Sequence, residues 1–130
     1  MIVVDASVVV QVLIADEAGL ALARRLAAED GQIAAPHLLD IEVASALRRL
    51  DRSRPLRAAT ASDAITDLRA LRIERHAHED LLHRIWNLRN ELSAYDAAYV
   101  ALAESLDAEL WTRDARLAKA RGPRCQIVLV

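Results

Sequence analysis

Short apolar runs of strand length alternate with helical periodicities from one end of the chain to the other. Ile2 to Val4 is a β-branched run with no polar break, the pattern of a strand covered on both faces. Ser7–Ile14 and Glu17–Glu29 read as helices, the second ending near Gly31. Ile33 to Ala35 predicts a second strand, stopped by Pro36. Leu38–Arg52 places Leu39, Val43, Ala46, Leu47 and Leu50 on one helical stripe. Arg54-Pro55 breaks that pattern, and a further helix is expected from about Arg57 to Leu71. Ile73 marks a weak third strand. Glu79–Leu92 reads as a helix burying Leu82, Ile85, Trp86 and Leu88, and Ser93 opens another that reaches about Leu106. Glu109–Thr112 is a fourth strand, Asp114–Ala120 a short helix, and Gln126–Val130 a fifth strand. No repeat, low-complexity tract or linker interrupts the series, so residues 1–130 read as a single domain.

Strands separated by helices imply an α/β fold, with a parallel sheet, right-handed crossovers and helices on both faces. In such a sheet the strand C-termini and the following helix N-termini share one edge, and ligands bind there. Composition narrows the picture further. Hydrophobic residues make up 54% of the 130 positions but aromatics only 3%, with no Phe, so the core must be Leu, Val, Ile and Ala. Formal net charge is -2, which excludes a protein that coats nucleic acid through overall basic excess. Cys125 is the only cysteine, so no disulfide forms within the chain and a reducing compartment fits. The N-terminus lacks the basic region of a signal peptide, and no apolar stretch has the length of a membrane span. A soluble, cytoplasmic protein is expected.

Of 19 acidic residues, four stand out by position. Asp5 closes the first strand and Asp114 follows the fourth. Glu42 lies near the start of the helix after strand two, and Asp96 in the first turn of the helix leading to strand four. All four point to the same edge. Each also has a plain structural reading: Asp5 and Asp114 are acceptable N-caps, Ser93-x-x-Asp96 matches a capping box, and Glu42 sits on an amphipathic helix. Carboxylates gathered at one edge carry a cost, since two charges about 5 Å apart repel by roughly 3 kcal/mol at an effective dielectric near 20. A cation among them removes it. With only oxygen ligands at hand, Mg²⁺ or Mn²⁺ is the natural occupant, able to acidify a bound water and offset charge on a phosphate.

The same residues resemble a known family. Asp5-Ala6-Ser7 after Ile2-Val3-Val4 is similar to the opening motif of PIN domains, and Pro36-x-x-Leu39-x-x-Glu42-Val43 to their second acidic motif. Tyr95-Asp96-Ala97-Ala98-Tyr99-Val100-Ala101-Leu102-Ala103 and Leu110-x-Thr112-x-Asp114-x-x-Leu117 resemble the third and fourth. Order, spacing and size look like the VapC-type toxins of bacterial toxin–antitoxin pairs. The resemblance implies a PIN-like three-layer sandwich with five parallel strands in the order 3-2-1-4-5, and Mg²⁺- or Mn²⁺-dependent endoribonuclease activity. It further implies homodimerisation and inhibition by a VapB-type antitoxin. Asp5, Glu42, Asp96 and Asp114 would be the catalytic acids, with Asp5, Asp96 and Asp114 on the metal. Ser7 and Thr112 would help position metal waters or phosphate.

Other residues invite weaker readings. His76, His78 and His83 lie in a less regular region, expected to be remote from the acidic edge. Trp86 and Trp111 fit core packing better than base stacking, and Cys125 fits a small buried hydrophobe. All basic residues but Lys119 are arginine. Arg48, Arg49, Arg52, Arg54 and Arg57 gather at a helix end expected to lie away from the site. Arg113 and Arg116 flank Asp114 and are the better candidates for RNA phosphates. A phosphorylatable receiver domain shares the alternating pattern and an acidic pocket, but needs a lysine after a late strand, whereas Lys119 falls within the predicted last helix. A nucleic-acid-binding module without catalysis is the third reading, and it needs no convergence of acids.

Overall fold

The computed structural model describes residues 1–29, 32–53 and 58–130, the side chains of 58–61 excepted. Five strands, β1 (Ile2–Val4), β2 (Ile33–Pro36), β3 (Ile73–His76), β4 (Glu109–Thr112) and β5 (Ile127–Leu129), form one parallel sheet in the order β3-β2-β1-β4-β5. The helices are α1 (Ala6–Ile14), α2 (Glu17–Ala28), α3 (Leu38–Ser53), α4 (Ala58–Ala70), α5 (Leu82–Asn87) and α6 (Ala94–Ser105). From β1 the chain first winds outward to β3, then crosses back to β4. Right-handed crossovers in opposite directions place α1–α4 on one face and α5–α6 on the other. The expected strand order and sandwich are therefore present. A receiver sheet runs 2-1-3-4-5, and the observed order departs from it.

Burial follows from this sandwich. Val3 and Val4 of β1 are fully buried, as a central parallel strand requires. Helix α6 lies against β1, β2 and β4, and every residue from Ala97 to Ala103 is buried. Its small side chains, Ala97, Ala98, Ala101 and Ala103, let the helix approach the sheet closely. On the other face α1 packs against α2, α3 and α4, with Val8, Val9 and Leu13 turned inward.

Several elements depart from the sequence reading. Strand β2 continues through Pro36, which needs no N–H at a strand end; the next residue, His37, donates its own to the His76 carbonyl at 2.9 Å. Strand β3 is a full four-residue strand. Its polar Arg75 is satisfied by Asp40 and by the carbonyls of Leu68, Leu71 and Ile73, a tertiary arrangement that periodicity cannot reveal. The Glu79–Leu92 helix is instead a 3-10 turn (Glu79–Leu81) followed by the short α5. Of the four side chains expected in the core, Ile85 and Leu88 are buried. Leu82 and Trp86 are exposed, and Arg89 lies over the Trp86 ring at 4.8 Å. The Asp114–Ala120 helix reduces to a 3-10 turn at Leu117–Lys119. Gly31, Pro55, Arg54 and Arg57 lie outside the described residues.

The α1–α2 corner fixes where the first helix meets the sheet. Asp16 caps α2, accepting the Gly19 N–H at 2.8 Å and the Gln11 side-chain amide at 2.6 Å. A Cβ at Gly19 would overlap the Gln11 carbonyl oxygen, a backbone atom that cannot step aside. Gly19→Ala should therefore lose stability by about 2 kcal/mol, despite the better helix propensity of alanine. Urea unfolding would register this as a lower midpoint with an unchanged m-value.

Candidate active site

The site grows outward from the end of β1. Asp5 N-caps α1, its Oδ1 accepting the Val8 N–H at 3.1 Å. The same oxygen accepts the Ser7 hydroxyl at 2.6 Å, and Oδ2 accepts the Thr112 hydroxyl from the end of β4. Each hydroxyl is in turn an acceptor. Ser7 Oγ takes the Arg113 N–H, and Thr112 Oγ1 takes the Asp114 N–H, both at 2.9 Å. A carboxylate that is 7% exposed is thus tied through two hydroxyls to the backbone of the loop after β4. Burial pushes the Asp5 carboxyl above its usual range, and the bonds from Ser7, Thr112 and Val8 oppose that shift.

Glu42 reaches the same region from the second turn of α3. Its Oε2 accepts the Tyr99 hydroxyl at 2.6 Å, across 57 positions of sequence. Tyr99 is 2% exposed, so the glutamate is its outlet for a polar group otherwise sealed in the core. Half-burial raises the Glu42 carboxyl first; the bond from Tyr99 lowers it, and the nearby Asp96 and Asp5 carboxylates raise it again. Asp5, Glu42 and Asp96 also all push the Tyr99 phenol upward, behind burial as the main cause. Glu42 and Tyr99 therefore both lie within electrostatic reach of Asp5 and Asp96. Arg49, two turns along α3, favours the ionised Glu42, so this part of the arginine group is not remote from the site.

Asp96 and Asp114 line a cleft of about 620 Å³ together with Ser93, Arg116, Lys119 and Arg121. Ser93 caps α6 by accepting the Asp96 N–H at 3.1 Å, and its hydroxyl donates to Asp96 Oδ2 at 2.8 Å. The first of these bonds is one half of the expected capping box, and the second ties the Asp96 carboxylate to the same hydroxyl. Asp114 Oδ1 accepts the Arg116 N–H at 2.7 Å, and its Oδ2 pairs with the Arg116 guanidinium at 3.0 Å. That side-chain bond, with the backbone one behind it, holds Asp114 below the usual carboxylate range.

The four expected acids therefore lie along one edge in two linked parts. Glu42 is repelled by both Asp5 and Asp96, and Asp114 joins Asp96 in the cleft and Asp5 through Thr112. Ser7 and Thr112 act first on Asp5. Arg113 turns away, its guanidinium bonded to Gln11 of α1, whereas Arg116 stays in the cleft. Sequence reasoning assigned no role to Tyr99, Lys119 or Arg121; a tyrosine inside an otherwise aliphatic helix stripe was the available signal for the first. His76 lies nearer this edge than expected, because β3 is parallel and ends there, although β3 is the outermost strand. Trp111 is buried in β4 with Arg25 over its ring at 5.0 Å, and Cys125 is half-buried.

Could the edge hold a divalent cation? Every donor is an oxygen, as hard cations prefer. Among the described residues, no three His, Cys, Asp or Glu side chains are arranged to close on one ion as they stand. That still suits Mg²⁺, which binds through one or two carboxylates and completes its shell with water and phosphate oxygens.

Comparison with known proteins agrees with the motifs. Residues 2–123 match the family model described as the PIN domain. Ribonuclease VapC9 of Mycobacterium tuberculosis is 44% identical over 130 residues, spanning 100% of this chain and 98% of the relative. Ribonuclease VapC1 of the same species is 43% identical over 129 residues, 98% of this chain and 96% of its own. In structure, VapBC2 of Rickettsia felis, bound to a DNA fragment from its promoter, superimposes with a TM-score of 0.72 at 15% identity, over 100% and 99% of the two chains. The toxin VapC20 of Mycobacterium tuberculosis gives 0.69 at 16% identity, over 92% of this chain and 94% of its own.

The Glu42 environment sets a pH dependence. A folded pKa above the unfolded one means that the native state binds the proton more tightly. Wild-type stability therefore falls as pH rises from the ordinary carboxylate range through the raised value. Gln can still accept the Tyr99 hydroxyl but carries no charge. In metal-free buffer, Glu42→Gln should match wild type at acid pH and become the more stable protein near neutrality. Tyr99→Phe, which removes the donor, should instead lose about 1.5 kcal/mol or more at neutral pH. Thermal unfolding across pH measures both.

Proposed function

The chain belongs to the PIN-domain family and, within it, to the VapC ribonucleases; from that premise we propose that it is a Mg²⁺- or Mn²⁺-dependent endoribonuclease acting as the toxin of a VapBC-type pair. The observation that carries the catalytic part is the gathering of acids at the strand C-termini: Asp96 and Asp114 share one cleft, Asp5 is tied to the Asp114 loop through Thr112, and Glu42 feels both Asp5 and Asp96. Folding spends stability to gather these charges, and a cation with a phosphate gives the gathering a purpose. The cation would be held by Asp5, Asp96 and Asp114, and when bound it supplies activation of an attacking water and neutralisation of charge on the phosphodiester. Glu42, whose drift towards protonation the Tyr99 bond opposes, is the group placed to take a proton from the attacking oxygen. Ser7 and Thr112 hold Asp5 in one orientation, so the site is fixed before substrate arrives.

Arg116, Lys119 and Arg121 offset the negative edge and give RNA phosphates a landing point in the cleft. Arg113, committed to Gln11, contributes through its backbone instead. An unpaired nuclease would damage its host, so a VapB-type antitoxin is the expected partner and the cytoplasm the expected setting; a homodimer is the expected assembly. The described residues contain no single helix long and apolar enough to cross a membrane. Leu39, Val43 and Leu47 of the α3 stripe are buried in the core and offer no docking surface. Among the described residues, a cavity of about 790 Å³ is lined from α1 and α2 by Val9, Val12, Ala23 and Leu26, and it suits an apolar antitoxin segment.

The activity is tested with total RNA. Cleavage should require Mg²⁺ or Mn²⁺ and stop with EDTA, and Asp96→Asn or Asp114→Asn should slow it about a hundredfold or more with an unchanged circular dichroism spectrum. Asp5→Asn is a poorer probe, because it also strips an acceptor from Thr112. Cleavage that persists in EDTA would rule out the metal-dependent mechanism; none under any condition would leave a binding module. Arg116→Ala should weaken single-stranded RNA binding for all sequences and flatten the salt dependence by about 0.7 in slope. For the partner, expression alone should slow growth and co-expression of the adjacent small reading frame should restore it; equal growth would count against the toxin role.

A further inference from the structure

Tyr95 is the large exposed aromatic at the acidic edge, and its exposure is unexplained by the fold. It stands in the first turn of α6, beside Asp96, with 64% of its surface open. Tyr99 is one turn further along, and residues four apart share a helix face. That face is the one from which Tyr99 reaches Glu42. Helical side chains lean towards the N-terminus, so Tyr95 stands one turn nearer the start of α6 than the Tyr99–Glu42 pair, next in the chain to the Asp96 that lines the cleft. The other exposed aromatic among those described, Trp86, sits on α5 with one ring face already occupied by Arg89.

We infer that Tyr95 is a stacking platform for an RNA base next to the phosphate held at the acidic edge. The inference rests on the ribonuclease reading above and deepens it by naming a residue that positions substrate. Two features favour a base over any other occupant. A net-negative edge gains little from charge alone, so part of the hold on a polyanion must come from contacts indifferent to charge. An exposed ring also offers its face to any base, whereas the neighbouring carboxylates repel the backbone until a cation is bound. Stacking of this kind contributes about five- to a hundredfold per base in affinity and tolerates every sequence. It would hold the chain while Arg116, Lys119 and Arg121 take its phosphates.

Binding is measured on an Asp96→Asn parent, with a short single-stranded oligoadenylate and with a copy carrying one abasic ribose at each position in turn. Tyr95→Ala should weaken binding about tenfold at every salt concentration, leaving the salt slope unchanged, because no charge is lost. Tyr95→Phe should restore it. One abasic position should abolish the difference between parent and Tyr95→Ala. Equal affinity of parent and Tyr95→Ala would overturn the inference while leaving ribonuclease activity standing. So would a loss in Trp86→Ala that Tyr95→Ala does not share, a changed slope, or weakened antitoxin binding with RNA binding intact. A wild-type protein that cleaves total RNA, with a parent that does not hold oligoadenylate, would overturn it too. Absence of any RNA cleavage by wild type would remove the ribonuclease reading itself.

Discussion

The site depends on one buried carboxylate being held on both of its oxygens. Asp5 sits where β1 gives way to α1, in the middle of the sheet, and an unsatisfied charge there would cost several kcal/mol. Two hydroxyls and one amide hold it, and the hydroxyls are themselves held by main-chain N–H groups of residues 113 and 114. This bonding joins β1, α1 and the loop after β4. Were it lost, the Asp114 loop would lose its register against Asp5, and the two parts of the acidic edge would separate.

Electrostatics then grade Asp5, Glu42 and Asp114. Asp5 and Glu42 are pushed towards protonation by burial, and for Glu42 by its neighbours as well. Asp114 is drawn the other way by Arg116. The grading follows depth: acids inside the fold carry the cost of desolvation, and the one at the rim is compensated by a solvent-facing arginine. The Tyr99 hydroxyl is the counterweight that limits how far Glu42 can drift.

Much of this was legible in the sequence because parallel α/β folds obey strong rules. The β-branched run Ile2–Val4 and the alternation of strands and helices gave the layers, and the PIN-like motifs gave the strand order. The positions of Asp5, Glu42, Asp96 and Asp114 at strand ends and first turns gave the edge. What stayed hidden depends on contacts between distant segments. Strand β3 could not be read as a full strand because Arg75 is neutralised from α3 and α4. The helix expected to bury Trp86 is only six residues long, and that tryptophan found an arginine instead of the core. Arg113 looked like a phosphate ligand until Gln11, 102 positions away, claimed it. Tyr99 could not be assigned a role because its partner lies on another helix.

The link from the loop after β4 to Asp5 passes through amides, which every residue except proline supplies. The side chains at 113 and at the following turn are thus free to change without loosening Asp5. The loop's outward groups can be exchanged while its inner bonding stays the same, so one scaffold could carry different surfaces around an unchanged buried carboxylate.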